Sequence, residues 1–571
     1  MDLLSLNVLN IVALSKIILF VFVLLFVLIL FKKNKPILHL LLLTGALLTF
    51  YLIFSYPLQK MFWGNRGDET FIFAFLNNVL HGNYFQDFYY SHLPVFYAPL
   101  YFWVTGFCAS FITTSGITAA KIGTLGAILI WFLGTYFWQK FYWQKINDDK
   151  LEQSVVNSNW FWLLYPVIYF LILDFDTIIS KPYEALAALL SPLFVIFLTN
   201  EFELKKWDFK KYLFFAFSGA FIFLTYYFWW FILIPVFLVL VYFSTNKFLN
   251  FKRLIILGGS IFLLSSIYLV PLIISIIRYG IENWQANFLM PEDFNSFFPW
   301  LDLSLKSILF ILGIFSLIFF NKNKIIRANL IGLIFCYAYQ LINIFLFVIG
   351  KKPFALSKPF LFLGGSFIIF GATYLIIFLY KKLLMNLSLD NKKIIILVIA
   401  LFFIPLLPFG NFIDKPSIRW QIEEDLQTPT IQYMVEIFQQ KIPNYTSITW
   451  LSAGMQEINA YLPLKYYIAY NPHFSHQASI YSQRMNLVKK LVSSKNSEDF
   501  YALTQNEAKP KITGLFLYKN ETKENYSMFF WQDNYPNGGK ELEIRLPKNL
   551  IDEKFWELKY EDKKFIIFLT K

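Results

Sequence analysis

The stretch 66–103 reads RGDETFIFAFLNNVLHGNYFQDFYYSHLPVFYAPLYFW, with Arg66, Asp68, Glu69, Asp87 and His92 set among aromatic residues just after a long apolar segment. A carboxylate at a membrane interface can take a proton from an attacking hydroxyl as a general base. Partial burial among aromatic rings raises its pKa and suits it better to that work. The competing reading is structural: Arg66 lies two residues from Asp68, so acid and base could simply pair or cap a helix. The accumulation of Asp68, Glu69, Asp87 and His92 on one loop, followed by a proline-interrupted aromatic run, favours chemistry.

The elements that must carry this loop are membrane helices. The chain has 571 residues, 57% hydrophobic and 21% aromatic with 68 Phe, and only 15% charged. A soluble fold of that composition would expose far too much apolar surface, so a polytopic membrane protein is expected. Apolar runs fall at 11–31, 37–56, 119–138, 160–173, 185–198, 212–225, 228–243, 254–277, 304–320, 330–349, 359–380 and 394–408. At about 20 residues per span they predict roughly 12–13 transmembrane helices. Runs 212–225 and 228–243 read as a pair broken near Tyr226. The piece 94–112 could span, re-enter or lie at the interface. The net charge of +13 sits mostly in short Lys/Arg runs between apolar segments. These runs explain orientation and headgroup contact better than nucleic-acid binding. With the basic loops inside, 58–93, 174–184, 278–302, 350–358 and everything after 409 fall outside, provided 94–112 adds no crossing.

From about residue 411 the composition becomes mixed, which predicts a second unit, 411–571, beside the membrane module 1–410. Amphipathic helices are expected at 429–440 and 479–492, and strands at 512–518, 541–546 and 565–570. The predicted fold is thus an α-helical polytopic membrane protein with a small extracytoplasmic α/β domain. Two cysteines, both in apolar runs, give neither a disulfide framework nor a metal pattern. His473 and His476 lack a third ligand for zinc. No phosphate-cradling glycine loop is present, which argues against ATP-driven transport. The first apolar run lacks the basic flank and small-residue cleavage site of a signal peptide, so it reads as an anchor.

The acidic first loop followed by HLPVFYAPLYFW resembles the GT-C membrane glycosyltransferases, and within them the AftA-type galactan arabinofuranosyltransferase family. DTIISKPYE at 176–184, NPHFSHQASIYSQR at 471–484 and FFWQDNYPN at 529–537 are similar to stretches of that family in the same order. The resemblance implies a GT-C-like fold and a polyprenyl-phosphate-linked pentose donor, arabinofuranose being expected. It also implies an extracytoplasmic glycan or glycoconjugate acceptor, and no required cofactor. A donor held in the bilayer needs no nucleotide-binding domain. Asp68 would be the base of an inverting single displacement, with Glu69 and Asp87 positioning the acceptor or sharing that role. The leaving phosphate gains charge and needs cations or N–H donors. Lys181, Arg278, Lys351, Lys352 and Lys358 are the candidates. Arg66, His92, Tyr183, Glu184, Asn471, His473 and Arg484 are the implied substrate contacts. Simpler readings stand beside these: an internal ion pair for Lys181 and Glu184, headgroup contact for the Lys351 group, and a belt of interfacial rings for Tyr226 and its neighbours. A divalent cation on Asp68 and Glu69 would suit phosphate chemistry without being required. Two other classes fit a multi-spanning chain: a polysaccharide polymerase or ligase using lipid-linked oligosaccharide, and a lipid-sugar flippase. The first usually carries its large loop later, and the second would want more charge within spans.

Overall fold

The computed structural model describes residues 36–55, 68–137, 155–172 (157 aside), 180–282 (205 aside), 305–351, 360–384, 431–519 (455 aside), 524–533 and 539–571, with scattered positions between 13 and 25. The membrane part is a helical bundle. Its helices are α1 (Pro36–Ser55), α2 (Asp68–Leu80), α3 (Leu100–Ser110), α4 (Gly116–Leu129), α5 (Asn159–Ile172) and α6 (Pro182–Glu201). They continue as α7 (Phe209–Thr225), α8 (Trp230–Phe243), α9 (Lys247–Tyr279), α10 (Leu305–Phe319), α11 (Lys324–Val348) and α12 (Gly365–Leu384).

Among the described residues, five helices are long and apolar enough to cross a membrane: Gly116–Phe137, Pro182–Glu201, Lys247–Tyr279, Lys324–Val348 and Phe362–Lys382. A bent pair, Phe209–Thr225 with Tyr227–Phe243, makes up to six. The helices α1, α5 and α10 are also apolar, and the expected run 394–408 lies outside the described residues. The break near Tyr226 is real: the two halves diverge by 113°, and Tyr226 leaves the helix with φ −160° and ψ 95°. The piece 94–112 does not span by length. Its helix α3 has 11 residues, about 16 Å at 1.5 Å per residue against roughly 30 Å of hydrocarbon.

Local sequence explains where helices start and how closely they pack. Asp208 caps α7 by accepting from the Lys211 N–H at 2.8 Å, and Asn323 caps α11 by accepting from Ile325 N–H at 2.9 Å. Pro182 opens α6 at its first turn, where its missing N–H costs no hydrogen bond. α10 and α12 cross at Gly313 and Gly371, where an added Cβ at Gly371 would lie 2.4 Å from Gly313 O. Small residues permit such close approach in membranes.

The C-terminal part contains α13 (Ile431–Lys441), α14 (Tyr481–Val492) and α15 (Ser497–Ala502). Its seven strands are β1 (Thr449–Ser452), β2 (Lys465–Tyr466), β3 (Gly514–Lys519), β4 (Asn525–Asp533), β5 (Gly539–Pro547), β6 (Trp556–Glu561) and β7 (Phe565–Thr570). The sheet order is β2-β1-β3-β4-β5, with β7 also on β3 and β6 on β7. β1 runs parallel to β2 and β3, and the remaining pairs are antiparallel. The three expected strands are present as β3, β5 and β7. The expected helices are present as α13 and α14. The boundary expected at 410/411 lies outside the described residues.

This domain is not an appendage. One apolar core runs from Phe71, Phe75, Phe88 and Phe102 of the membrane part to Met434, Phe438, Trp450 and Phe474 of the domain. On the amphipathic α13, Phe438 packs on Trp450 and Phe516 at 5.2 and 5.4 Å. Apolar burial at this scale fixes the domain over one end of the bundle.

Candidate active site at the bundle–domain junction

Asp68 is the first residue of α2, and only this place in the backbone is described. Glu69 follows and is buried, within electrostatic reach of the Tyr51 hydroxyl on α1. One turn on, Phe71 is the hub of the junction. Its ring stacks on Tyr97 at 4.3 Å, meets Phe474 of the C-terminal domain at 5.6 Å, and meets Tyr183 edge-on at 6.4 Å. Tyr183 in turn touches Tyr101, Phe102 and, at the bend between α7 and α8, Tyr226. The acidic helix, the KPYE stretch, the aromatic loop and the NPHF turn are therefore brought together. Arg66 lies outside the described residues.

Beside Tyr183, Lys181 and Glu184 approach to 3.9 Å across one helical turn, so the internal ion pair is present. Tyr183 OH donates to Glu184 Oε1 at 3.4 Å, and Trp229 Nε1 donates to Glu184 O at 3.1 Å. Arg278 is exposed at the end of α9, and its neighbour Tyr279 meets the His92 ring edge-on at 5.8 Å. Lys351 is exposed just past α11, while Lys352 and Lys358 lie outside the described residues. Among the described residues no three His, Cys, Asp or Glu side chains cluster as metal ligands.

The loop 81–99 between α2 and α3 is held by its own bonds and by the domain. Asp87 N–H donates to Leu93 O at 2.9 Å and Val95 N–H to Phe85 O at 3.3 Å. The Asp87 carboxylate is fully buried. Its Oδ1 accepts from the N–H groups of Tyr89 and Tyr90, both at 2.9 Å. Lys465, on β2, reaches into the loop and donates from Nζ to Asn78 Oδ1 and to Asp87 O, both at 2.7 Å. Burial pushes the Asp87 carboxyl up to about 7, against the pull of the two N–H groups and Lys465. Burial likewise pushes the Lys465 ammonium down to about 8, opposed by Asp87. In this structure the buried Asp87 braces the loop.

A second clamp lies alongside. Arg484 of α14 donates to Ser479 O at 2.7 Å, to Tyr467 O at 2.5 Å and to His92 Nε2 at 3.1 Å. Its guanidinium lies over the rings of Tyr90 and Tyr467 at 5.1 and 5.0 Å. Burial, and then the Arg484 charge, push His92 down to about 4, so it is neutral at physiological pH and can accept on Nε2. Tyr90 OH shares a 2.6 Å hydrogen bond with Ser475 Oγ, and Ser475 another of 2.8 Å with Ser479. Arg484 and His92, expected as substrate contacts, are thus joined to each other in the clamp. Asn471 caps its own turn by accepting from His473 N–H at 2.9 Å. His476 is buried against Phe96 at 5.3 Å, and burial pushes it down to about 3.

Sequence reasoning missed Lys465, Asn78 and the partner pair Asn77 and Asn459, where Asn77 Nδ2 donates to Asn459 O at 2.9 Å. The usable signal was a lysine inside an apolar strand, LPLKYYI, since such a lysine must find a buried partner.

These features define a multi-pass helical membrane protein with an α/β domain clamped over an acid-bearing loop. The family model described as "Arabinofuranosyltransferase N terminal" matches residues 167–393, about two-fifths of the chain. Over that stretch the chain is similar to the arabinofuranosyltransferase family, the family its motifs resemble. The matched region starts beyond the acidic loop, takes in the KPYE stretch and runs through α6 to α12. Two crystal structures of ArnT from Cupriavidus metallidurans are similar over 92% of this chain and 97% of theirs, at 11% identity. The one bound to undecaprenyl phosphate has a TM-score of 0.47, and the apo state 0.49. No curated protein gives a significant sequence match.

Proposed function

We propose that the chain transfers a pentose, arabinofuranose, from a polyprenyl-phosphate carrier to a glycan or glycoconjugate on the extracytoplasmic side of the cell membrane. One observation carries the reading. The family-matched stretch Lys181–Glu184 packs through Tyr183 against Phe71, one turn from Asp68 and Glu69. Family and acids therefore meet in one place.

Asp68 takes the proton of the acceptor hydroxyl as its oxygen bonds to the anomeric carbon. The bond from that carbon to the phosphate oxygen breaks, and polyprenyl phosphate leaves with the electron pair. A single displacement inverts the anomeric centre. Lys181, beside Tyr183, and Arg278, beside Tyr279, neutralise the departing phosphate, with Lys351, Lys352 and Lys358 as further cations for the headgroup. Glu69, buried behind Asp68 in sequence, and Tyr183 orient the acceptor. Basic runs at 205–211, 247–253, 321–327 and 381–393 support a cytoplasmic side for the loops that carry them.

The test uses purified protein in lipid nanodiscs with labelled polyprenyl-phosphoryl arabinofuranose and oligosaccharide acceptors. The expected result is label in the glycan with one polyprenyl phosphate released per transfer. Movement of intact lipid-linked sugar across proteoliposomes with no glycosylated product would favour a flippase instead.

A further inference from the structure

We propose that the C-terminal domain holds an uncharged sugar unit of the acceptor chain in a separate pocket, at the C-terminal end of α9. This deepens the transferase reading and rests on it for the word acceptor. The pocket has a volume of about 230 Å³ and lies between Glu282, just past α9, the outer face of α14, and strands β4 and β5. That is below the roughly 300–1,000 Å³ of a drug-sized site, which suits a single ring of a longer chain.

Its chemistry selects a sugar. Trp531 offers an apolar ring, and Asn486 and Gln532 offer amides that both donate and accept. Glu282 and Lys489 contribute one negative and one positive charge. A phosphate site would gather cations and exclude the carboxylate, whereas this balanced set fits a ligand rich in hydroxyls and without charge. A few placed polar groups around an aromatic face are what such recognition needs.

The pocket is also built. Trp531 N–H donates to Tyr470 O at 2.8 Å. The indole lies against Gly539 on β5, where a Cβ would come within 2.4 Å of its Nε1. Glu282 N–H donates to Gln477 O at 3.0 Å, and its Oε2 accepts from Ser482 N–H at 3.0 Å. This fixes the carboxylate at the start of α14. The pocket is coupled to the active site by one short turn: Pro472 lines the pocket, and Phe474, two residues on, touches Phe71. The turn that lines the pocket thus also packs on the acid-bearing helix.

Binding is measured by calorimetry on the full chain in nanodiscs, without donor, using galacto- and arabino-oligosaccharides of four to six residues. The wild type is expected to bind at least one saturably, and Trp531→Ala to weaken it tenfold or more. Gln532 and Lys489 are exposed, so Gln532→Ala and Lys489→Ala serve as variants that spare the fold, each expected to weaken binding several-fold. In turnover the same variants raise the acceptor KM and leave the donor KM unchanged. Absence of binding across the panel, or binding indifferent to all three variants, overturns the pocket. Pocket-dependent binding without any sugar transfer upholds the pocket and removes the transferase reading. Transfer with a variant-insensitive acceptor KM does the reverse.

Discussion

Replacing Lys465 by methionine should loosen the C-terminal domain from the acidic loop. The side chain is buried, with 3% of its surface exposed, and its ammonium makes two hydrogen bonds of 2.7 Å, to Asn78 Oδ1 and Asp87 O. Methionine replaces the aliphatic stem and removes both donors. Each orphaned buried acceptor costs about 1–3 kcal/mol. Two such acceptors together cost roughly 2–6 kcal/mol, with about 3–5 kcal/mol as the central range. The lower end is favoured because the Asp87 carboxyl, already pushed up to about 7, can escape by taking a proton. Hydrogen exchange reads this locally. Tyr466 N–H, which donates to Tyr89 O at 2.7 Å, and Asp87 N–H, which donates to Leu93 O, are the reporters. If this junction opens as a unit, a loss of about 3–5 kcal/mol speeds their exchange roughly a hundred- to several-thousand-fold, at 1.36 kcal/mol per decade. Exchange within about threefold of wild type at both amides would refute the reasoning.

Further outcomes follow from the same junction. Asp87 holds its proton longer when folded than at its ordinary value of 3.8, so its contribution is full below pH 4 and is lost as pH rises through about 7. Exchange at the loop should therefore quicken from pH 5 to 7.5 beyond its intrinsic pH dependence. Asp87→Asn should flatten that excess while retaining sugar transfer; loss of transfer without loss of loop protection would place Asp87 in catalysis. At Gly116 a Cβ would lie 2.2 Å from Phe73 O and 3.0 Å from Ala460 O, where α4, α2 and the domain meet. Gly116→Ala should lower stability by about 1–3 kcal/mol, seen as a lower melting temperature in nanodiscs, whereas an unchanged midpoint would mean the contact relaxes freely.

The parts legible in sequence were those set by local pattern. Two apolar runs meeting at Tyr226 predicted the bent pair α7 and α8. Alternation predicted β3, β5 and β7, and an apolar stripe predicted α13. The short parallel strands β1 and β2 were not legible. All four residues of β1 are buried and so lack alternation, and β2 has two residues. β4 was read only as part of a family-like motif, because its aromatic run Phe529 to Trp531 masks the period of two. The acids were found as a group, but their roles were not separable. The surroundings of Asp87 come in part from Lys465, 378 residues away. No local pattern encodes such a pairing. The setting of Arg484 was hidden for the same reason: its partner His92 is 392 residues distant, and an arginine in a helix of mixed composition gives no hint of burial.

The most direct test of the central claim is turnover of Asp68→Asn in nanodiscs, with labelled polyprenyl-phosphoryl arabinofuranose and an oligosaccharide acceptor that the wild type glycosylates. Asparagine keeps the size and removes the base. The predicted result is loss of transfer by a factor of 100 or more, within the roughly 10²–10⁴ of general-base catalysis, with donor binding and melting temperature preserved. Turnover within a few-fold of wild type would contradict it.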